Sequence, residues 1–285
     1  MNLILRVFFI SLTMFAATAA MAEEGKTVLG SVAMDVPAVM YKRLDPLVQY
    51  LARQTGHPAE LRLSPSLDEA VKSLAAGQTD IAYLTPVAFL KARKESGAKP
   101  LVKLLTLGQG SFNLMIVVRK DSPIKSVSQL AGKRFALGDK AALLQRAVVV
   151  GAGMPLEKLG EVQFLGHYDN IARAVSVGEF DAGILKDTTA REWQKKGLRV
   201  IHTSAPLPPY VIAVRGNMDE KSVTKLRQAL LALRKTDASD QAILKALDPE
   251  YDGFAPTSDA EYDVVRDLIA PFQKTATEKP AAAKS

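Results

Sequence analysis

Short apolar runs alternate with amphipathic stretches through most of the chain. The runs Val28 to Ala33, Leu61 to Leu63 and Asp80 to Leu84 predict three strands. Between the first two runs, apolar residues recur every three or four positions, as they do on one face of a helix; they are Leu44, Leu47, Val48 and Leu51. Alternating strands and helices predict a parallel sheet covered by helices, which is the α/β class.

Polar, proline and glycine residues mark the expected ends of the helices. Asp45-Pro46 has the composition of an N-cap followed by a proline in the first turn, which predicts that a helix begins there. Ser66, with Glu69 three positions later, fits a capping box. Gly56 and Gly77 stand where these two helices are expected to end.

One helix–glycine–strand unit occurs twice. Residues 70–84 read AVKSLAAGQTDIAYL and residues 171–185 read IARAVSVGEFDAGIL, and each residue of the second unit lies 101 positions after its counterpart. The glycine, the aspartate and the final leucine are identical. Two copies in successive α/β segments predict two similar lobes, with Asp80 and Asp181 fixing the turn before each strand.

The connection between the lobes sets the expected domain boundaries. Two apolar strands, Phe112 to Arg119 and Tyr210 to Arg215, are predicted to cross between the lobes, and helices around Val223 to Leu247 and Tyr262 to Phe272 complete the first lobe. The expected boundaries are a signal peptide at 1–22, a discontinuous first lobe at 23–118 and 209–273, a second lobe at 119–208, and a disordered tail at 274–285. A cleft between two joined lobes can close on a small molecule.

The first residues have the pattern of a secretory signal. Arg6 precedes an apolar stretch from Val7 to Ala20, and Ala20-Met21-Ala22 supplies small residues at an A-x-A cleavage site. The stretch is short for a membrane span, although an uncleaved anchor is the alternative. The mature protein is expected in the periplasm.

Composition narrows the possible functions. The 285 residues are 48% hydrophobic and 24% charged, which excludes a disordered chain. Lys and Arg (37) exceed Asp and Glu (30), but the basic residues are scattered and not interleaved with aromatic ones, so nucleic-acid binding is not expected. There is no cysteine and there are three histidines, far apart. Neither a metal nor another cofactor is expected, and the chain is expected to be a monomer.

Five short motifs occur in an order that resembles a known family. They are Pro46-Leu47-Val48-Gln49-Tyr50-Leu51, Asp80-Ile81-Ala82-Tyr83-Leu84-Thr85-Pro86, Val117-Val118-Arg119-Lys120-Asp121-Ser122, Leu130-Ala131-Gly132-Lys133-Arg134-Phe135-Ala136 and His167-Tyr168-Asp169-Asn170. Together they resemble the phosphate/phosphite/phosphonate-binding family of periplasmic solute-binding proteins, from about Lys26 to Phe272. The resemblance implies a type II periplasmic-binding-protein fold, with two Rossmann-like lobes joined by two hinge strands. It also implies a small-molecule ligand and an ABC transporter permease as partner.

The sequence departs from that family at one place. Members that hold phosphate or phosphonate typically have a Ser/Thr cluster at the start of the helix that follows the strand ending at Gly138. This chain has Asp139-Lys140-Ala141-Ala142 there. Either backbone N–H groups and Lys140 hold the anion, or the ligand belongs to another class.

The candidate ligand-binding residues follow the carboxyl ends of predicted strands, where ligands of open α/β sheets bind. Each has a structural alternative, such as capping a helix or packing in the core; the candidates are Tyr83, Thr85, Asp139, Lys140, His167, Asp169 and Lys186. The two lysines would attract a phosphorus or sulfur oxyanion. Asp139 and Asp169 fit N-cap positions; facing the cleft, they would favour an amino group on the ligand.

The main hypothesis is an exported protein that captures a phosphorus oxyanion for an ABC importer. One alternative keeps the fold and presents the closed form to a membrane sensor kinase, and another takes a non-phosphorus ligand. An enzyme is not expected. The chain has neither a G-x-S-x-G elbow nor a P-loop, and it lacks H-E-x-x-H.

Overall fold

The computed structural model describes residues 25–32, 35–140 and 142–277. The strands are β1 (Thr27–Val32), β2 (Ala59–Ser64), β3 (Ile81–Leu84), β4 (Lys99–Thr106), β5 (Leu114–Arg119), β6 (Arg134–Leu137), β7 (Glu161–Phe164), β8 (Ala182–Lys186), β9 (Leu198–Thr203), β10 (Val211–Val214) and β11 (Tyr251–Ala255). The helices are α1 (Pro37–Thr55), α2 (Leu67–Ala75), α3 (Pro86–Ser96), α4 (Leu143–Gly151), α5 (Tyr168–Ser176), α6 (Asp187–Gln194), α7 (Glu220–Ala232), α8 (Ala238–Leu247) and α9 (Asp263–Thr277).

Two sheets organise these elements. The first has the order β11-β4-β10-β3-β1-β2 and the second β7-β6-β8-β5-β9. In each sheet three strands joined by helices run parallel, and the next strand, β10 or β5, runs antiparallel to them. The predicted two-lobed α/β fold is confirmed; we call the part around the six-stranded sheet the first lobe and the part around the five-stranded sheet the second lobe.

The repeated unit folds the same way in both lobes. The Asp80 carboxylate accepts a hydrogen bond from the Val28 N–H at 2.9 Å, and the Asp80 N–H donates to the Val28 carbonyl. Asp181 makes the same two bonds to Arg134, with its carboxylate 2.8 Å from the Arg134 nitrogen. Each aspartate thus fastens the start of its strand to the start of the neighbouring parallel strand. The expected structural role of both residues is confirmed.

Replacing Asp181 with alanine is expected to lower the free energy of unfolding by about 1.5 kcal/mol at neutral pH, because charge-assisted hydrogen bonds are lost. The hydrogen bonds from Arg134 lower the pKa of Asp181. A carboxylate of lowered pKa stabilises the fold above its unfolded pKa, about 3.9, and this contribution disappears as the pH falls through the lowered value. Urea denaturation between about pH 7 and pH 2.5 should show the difference between the two proteins shrinking towards acid. A difference that stays constant over this range would contradict the role assigned to the charge.

The first helix begins earlier than its proline suggests. It starts at Pro37 and runs through Pro46, so the predicted start at Asp45-Pro46 is wrong. The buried positions continue across the proline with helical spacing; Met40 and Leu44 before it join Leu47 and Leu51 after it. Burial of this longer apolar face outweighs the backbone hydrogen bond that a proline inside a helix removes.

Two predicted boundaries need correction. Strand β5 pairs with β8 and β9, so residues 114–118 lie in the second sheet and not, as expected, in the first lobe. The crossing lies between the strands, where Phe112 and Leu207 form a two-residue bridge. Helix α9, assigned to the first lobe, packs mainly against α4 of the second. It also continues to Thr277, beyond the expected start of a disordered tail at 274; residues 278–285, like the expected signal peptide at 1–22, lie outside the described residues.

A shared hydrophobic core joins the lobes. One buried cluster contains Ala82 and Phe89 from the first lobe together with Ile116, Phe135 and Ile184 from the second. Each lobe has a further cluster on the other face of its sheet. Within the part of the chain that the structure describes, no helix is long and apolar enough to cross a membrane.

Candidate functional site

The repeat places two candidate residues at equivalent positions of the two lobes. Thr85 and Lys186 are 101 positions apart, and each is the N-cap residue of the helix that follows the last of the three parallel strands of its lobe. The Thr85 hydroxyl accepts a hydrogen bond from the Ala88 N–H at 3.2 Å, so it caps α3. The Lys186 side chain does not cap α6. The same N-cap position thus carries a hydroxyl in the first lobe and an ammonium group in the second.

The Lys186 ammonium is bound by a carboxylate of the opposite lobe. Its Nζ lies 3.2 Å from Oε2 of Glu250, which precedes β11 of the first sheet. The same oxygen accepts a hydrogen bond from the Thr188 hydroxyl of α6, also at 3.2 Å. Lys186 therefore contributes to a contact between the lobes.

Tyr83 lies in the core of the first lobe, in agreement with the packing alternative. Its ring stacks on that of Tyr210, with centroids 4.8 Å apart, and its hydroxyl lies 3.1 Å from the Tyr251 hydroxyl. Burial raises the pKa of Tyr83 well above its ordinary value, and burial also raises the pKa of Tyr210 and Tyr251. All three phenols are therefore neutral hydrogen-bonding groups at physiological pH.

A fourth tyrosine belongs to the second lobe. Tyr168 begins α5, and burial raises its pKa to about 12, while a hydrogen bond from Gln145 acts in the opposite direction. Gln145 is itself buried and accepts a hydrogen bond from the Gly138 N–H at 2.7 Å. A Cβ at Gly138 would stand 2.6 Å from the Gln145 amide nitrogen, so a side chain there would displace this amide. Strand β6, α4 and α5 are thereby joined at the cleft end of the second sheet.

The segment from Asp139 to Ala142, which has no Ser/Thr cluster, is exposed at its first two residues and supplies no side-chain cap to α4. Asp139 and Lys140 are exposed, and the Ala142 N–H donates to the Asp139 carbonyl at 2.9 Å. Ala142 is the N-cap residue of α4 and has no side-chain oxygen to cap it. The expected N-cap role of Asp139 is therefore wrong, because the turn places Ala142 at that position. Ala141 lies outside the described residues.

His167 and Asp169 are exposed at the start of α5. His167 is the N-cap residue, but its side chain makes no capping hydrogen bond. Asp169 lies inside the first turn and accepts a hydrogen bond from the Trp193 indole at 3.3 Å, so its expected N-cap role is also wrong. The structure brings Lys186 into contact with Glu250, and Tyr83 into contact with Tyr251. His167 and Asp169 join neither pair and are exposed at the start of α5.

Sequence reasoning missed several polar residues that contact the candidate residues or lie beside them. Arg43 of α1 donates two hydrogen bonds to the Leu247 carbonyl, at 2.9 and 2.7 Å, and its charge offsets a small part of the rise that burial causes in the pKa of Tyr83. Glu250 and Tyr251 follow α8, in a segment without a recognisable motif. Of these residues, only Tyr168 could have been found from the sequence, because it directly follows the candidate His167. No group of three or more metal-ligating side chains occurs among residues 25–32, 35–140 and 142–277.

Comparison with known proteins assigns the chain to a family. The family described as ABC transporter, phosphonate, periplasmic substrate-binding protein matches residues 29–262. The chain belongs to this family. Membership confirms the predicted family and fold, and it makes the protein a substrate-binding component of an ABC transporter. The family is periplasmic and binds substrates for transport.

Individual proteins that resemble this chain are similar to it at low sequence identity. The Phosphate-import protein PhnD of Mycolicibacterium smegmatis is 25% identical over 251 residues, and the match covers 78% of this chain and 78% of that one. The structure of XAC2383 from Xanthomonas citri bound to chloride is 27% identical with a TM-score of 0.72, covering 88% of this chain and 99% of that one. PhnD1 from Prochlorococcus marinus, in complex with methylphosphonate, has a TM-score of 0.70 at 17% identity, covering 87% and 98%, and shares the fold.

Proposed function

We propose that this protein captures a phosphorus oxyanion in the cleft and delivers it to the permease of an ABC importer. The observation that carries the proposal is the amino end of α4, which follows the cleft end of β6. It has no side-chain cap, and the exposed Lys140 stands three residues before the helix. Helix amino termini favour anions through their N–H groups and the helix dipole, and a lysine adds a full positive charge.

The relatives support an anionic ligand. The Mycolicibacterium smegmatis protein is named for phosphate import, and XAC2383 has been seen with chloride and, at 25% identity, with ATP. All three ligands are anions, and two contain phosphorus. We infer further that residues 1–22 are a cleaved signal peptide, that the mature protein works in the periplasm as a monomer, and that it catalyses no reaction and binds no nucleic acid.

A ligand panel tests the proposal. The mature chain is mixed with phosphate, methylphosphonate, sulfate, an amine or a carboxylate, each at equal ionic strength. At a ligand concentration one hundred times the Kd, mass action should stabilise the fold by about 2.7 kcal/mol. We expect a phosphorus oxyanion to raise the melting temperature. A response to amines or carboxylates alone would reject this ligand class.

A lysine variant tests where the anion binds. Lys140→Ala should raise the Kd for the bound oxyanion about tenfold, because one charge-assisted contact is worth about 1.4 kcal/mol or more. Lys120→Ala is the matched control, since this exposed lysine follows β5 at the opposite end of the same sheet. Calorimetric titration of both variants measures the effect. Equal Kd values for the two would show that the α4 end is not the anion site.

A further inference from the structure

Glu250 connects the two lobes through one carboxylate oxygen. Oε2 accepts from the Lys186 ammonium and from the Thr188 hydroxyl, each at 3.2 Å. Glu250 belongs to the first lobe, whereas Lys186 ends β8 and Thr188 lies in α6 of the second. The contact therefore exists only while this part of the cleft is narrow.

The backbone around Glu250 is fixed to the first lobe. Its carbonyl accepts a hydrogen bond from the Leu107 N–H at 3.1 Å, in the turn that leads out of β4. Its N–H donates to the Asp248 carboxylate at 2.8 Å, and the next residue, Tyr251, contacts Tyr83 through its hydroxyl. The carboxylate is thus presented from an anchored backbone. Movement of the second lobe away from the first would separate it from both donors.

We propose that Glu250 is a closing residue, which holds the second lobe against the first through Lys186 and Thr188 and so sets the affinity for ligand. The proposal rests on the proposed function, in which the lobes close around an oxyanion. A contact made only in the closed state raises the closed fraction, and the apparent affinity of a ligand that needs this state rises in proportion. Closure also brings the Lys186 ammonium within hydrogen-bond distance of Glu250. Lys186 is therefore a positioning residue, which helps to hold the second lobe against the first.

A carboxylate inside the first lobe provides the control. Glu261 pairs with Lys103 at 2.5 Å, and their side chains are 36% and 17% exposed. The corresponding values for Glu250 and Lys186 are 39% and 21%. Glu261→Gln therefore removes an ion pair of similar exposure that does not cross the cleft. Glu250→Gln removes the charge of the closing residue without changing its shape, and Thr188→Val removes only the second donor.

Lobe separation is measured by energy transfer between two dyes. Because the chain has no cysteine, Lys72→Cys on the first lobe and Glu157→Cys on the second introduce the only thiols, and both positions are exposed. Without ligand, Glu250→Gln should lower the closed fraction, Thr188→Val should lower it less, and Glu261→Gln should leave it unchanged. With the oxyanion that the panel identifies, Glu250→Gln should raise the Kd at least fivefold relative to Glu261→Gln.

The outcomes separate this proposal from the proposed function. If an oxyanion binds but Glu250→Gln matches Glu261→Gln in closed fraction and Kd, the closing role is overturned and the proposed function stands. A tighter Kd in Glu250→Gln also overturns it, since Glu250 would then compete with the ligand for Lys186. If no member of the panel binds, the proposed function fails, and the ligand-free energy transfer still decides the closing role.

Discussion

Phe89→Ala is expected to lower the free energy of unfolding by about 4 kcal/mol, the usual cost of truncating a fully buried phenylalanine. Phe89 is fully buried in α3, and its ring centroid lies 4.6 Å from that of Tyr262. The two residues hold α3 against the segment that leads into α9. Both belong to the core cluster that the lobes share. We therefore expect the substitution to lower the stability of both lobes, and not of the first lobe alone.

The single tryptophan makes that expectation measurable. Trp193 lies in α6 of the second lobe, so its fluorescence follows that lobe, while circular dichroism follows the whole chain. In urea, both signals should change together and shift by the same amount in Phe89→Ala. Val177→Ala, at a position 61% exposed, should stay within about 0.5 kcal/mol of the parent protein. An unshifted Trp193 transition would show that the lobes unfold independently.

Gly183→Val should destabilise the protein by about 3 kcal/mol, because the second sheet has no room for a side chain there. A Cβ at this position would stand 2.5 Å from Ile171 Cγ2 and 3.1 Å from Val175 Cγ2 of α5. Both residues are fully buried, so relief requires the helix to move away from the sheet. Overpacking of this kind typically costs 1–3 kcal/mol, and valine adds more than the Cβ.

The control for Gly183→Val is Gly25→Ala. A Cβ at Gly25 would meet nothing within 4 Å, so we expect a change within about 0.5 kcal/mol. Urea denaturation of both variants gives the comparison. If Gly183→Val were as stable as Gly25→Ala, α5 would be able to shift freely on the sheet, contrary to the close contact described here.

The local part of the fold was predictable because the repeat and the caps are local signals. The constant offset between residues 70–84 and 171–185 predicted two similar lobes, and the equivalent bonds of Asp80 and Asp181 are its structural counterpart. The Ser66 cap is present, with its hydroxyl 3.2 Å from the Glu69 nitrogen. The Ser66 cap spans three residues. The two aspartates recur at the constant offset of the repeat, so the sequence marks them although their bonding partners are distant along the chain.

Contacts between distant segments were not predictable in this way. Glu250 meets Lys186 across 64 positions, and Tyr83 meets Tyr251 across 168. Nothing near Glu250 in the sequence distinguishes it from an ordinary loop carboxylate. At Pro46 the local signal itself was misleading. The sequence there predicts a helix start, but the helix runs through the proline because apolar residues on both sides of it are buried. Site residues held by tertiary contacts therefore need coordinates.

The strand order of the first sheet affects the order in which the two lobes can fold when the chain emerges from its amino end. β10 lies between β3 and β4, yet it consists of residues 211–214. The second sheet, by contrast, is built from residues 114–203 alone. In a chain that emerges amino end first, β3 and β4 keep unpaired edges while residues 107–210 follow, and such edges invite aggregation. The lobe that begins the sequence is then the last to be completed.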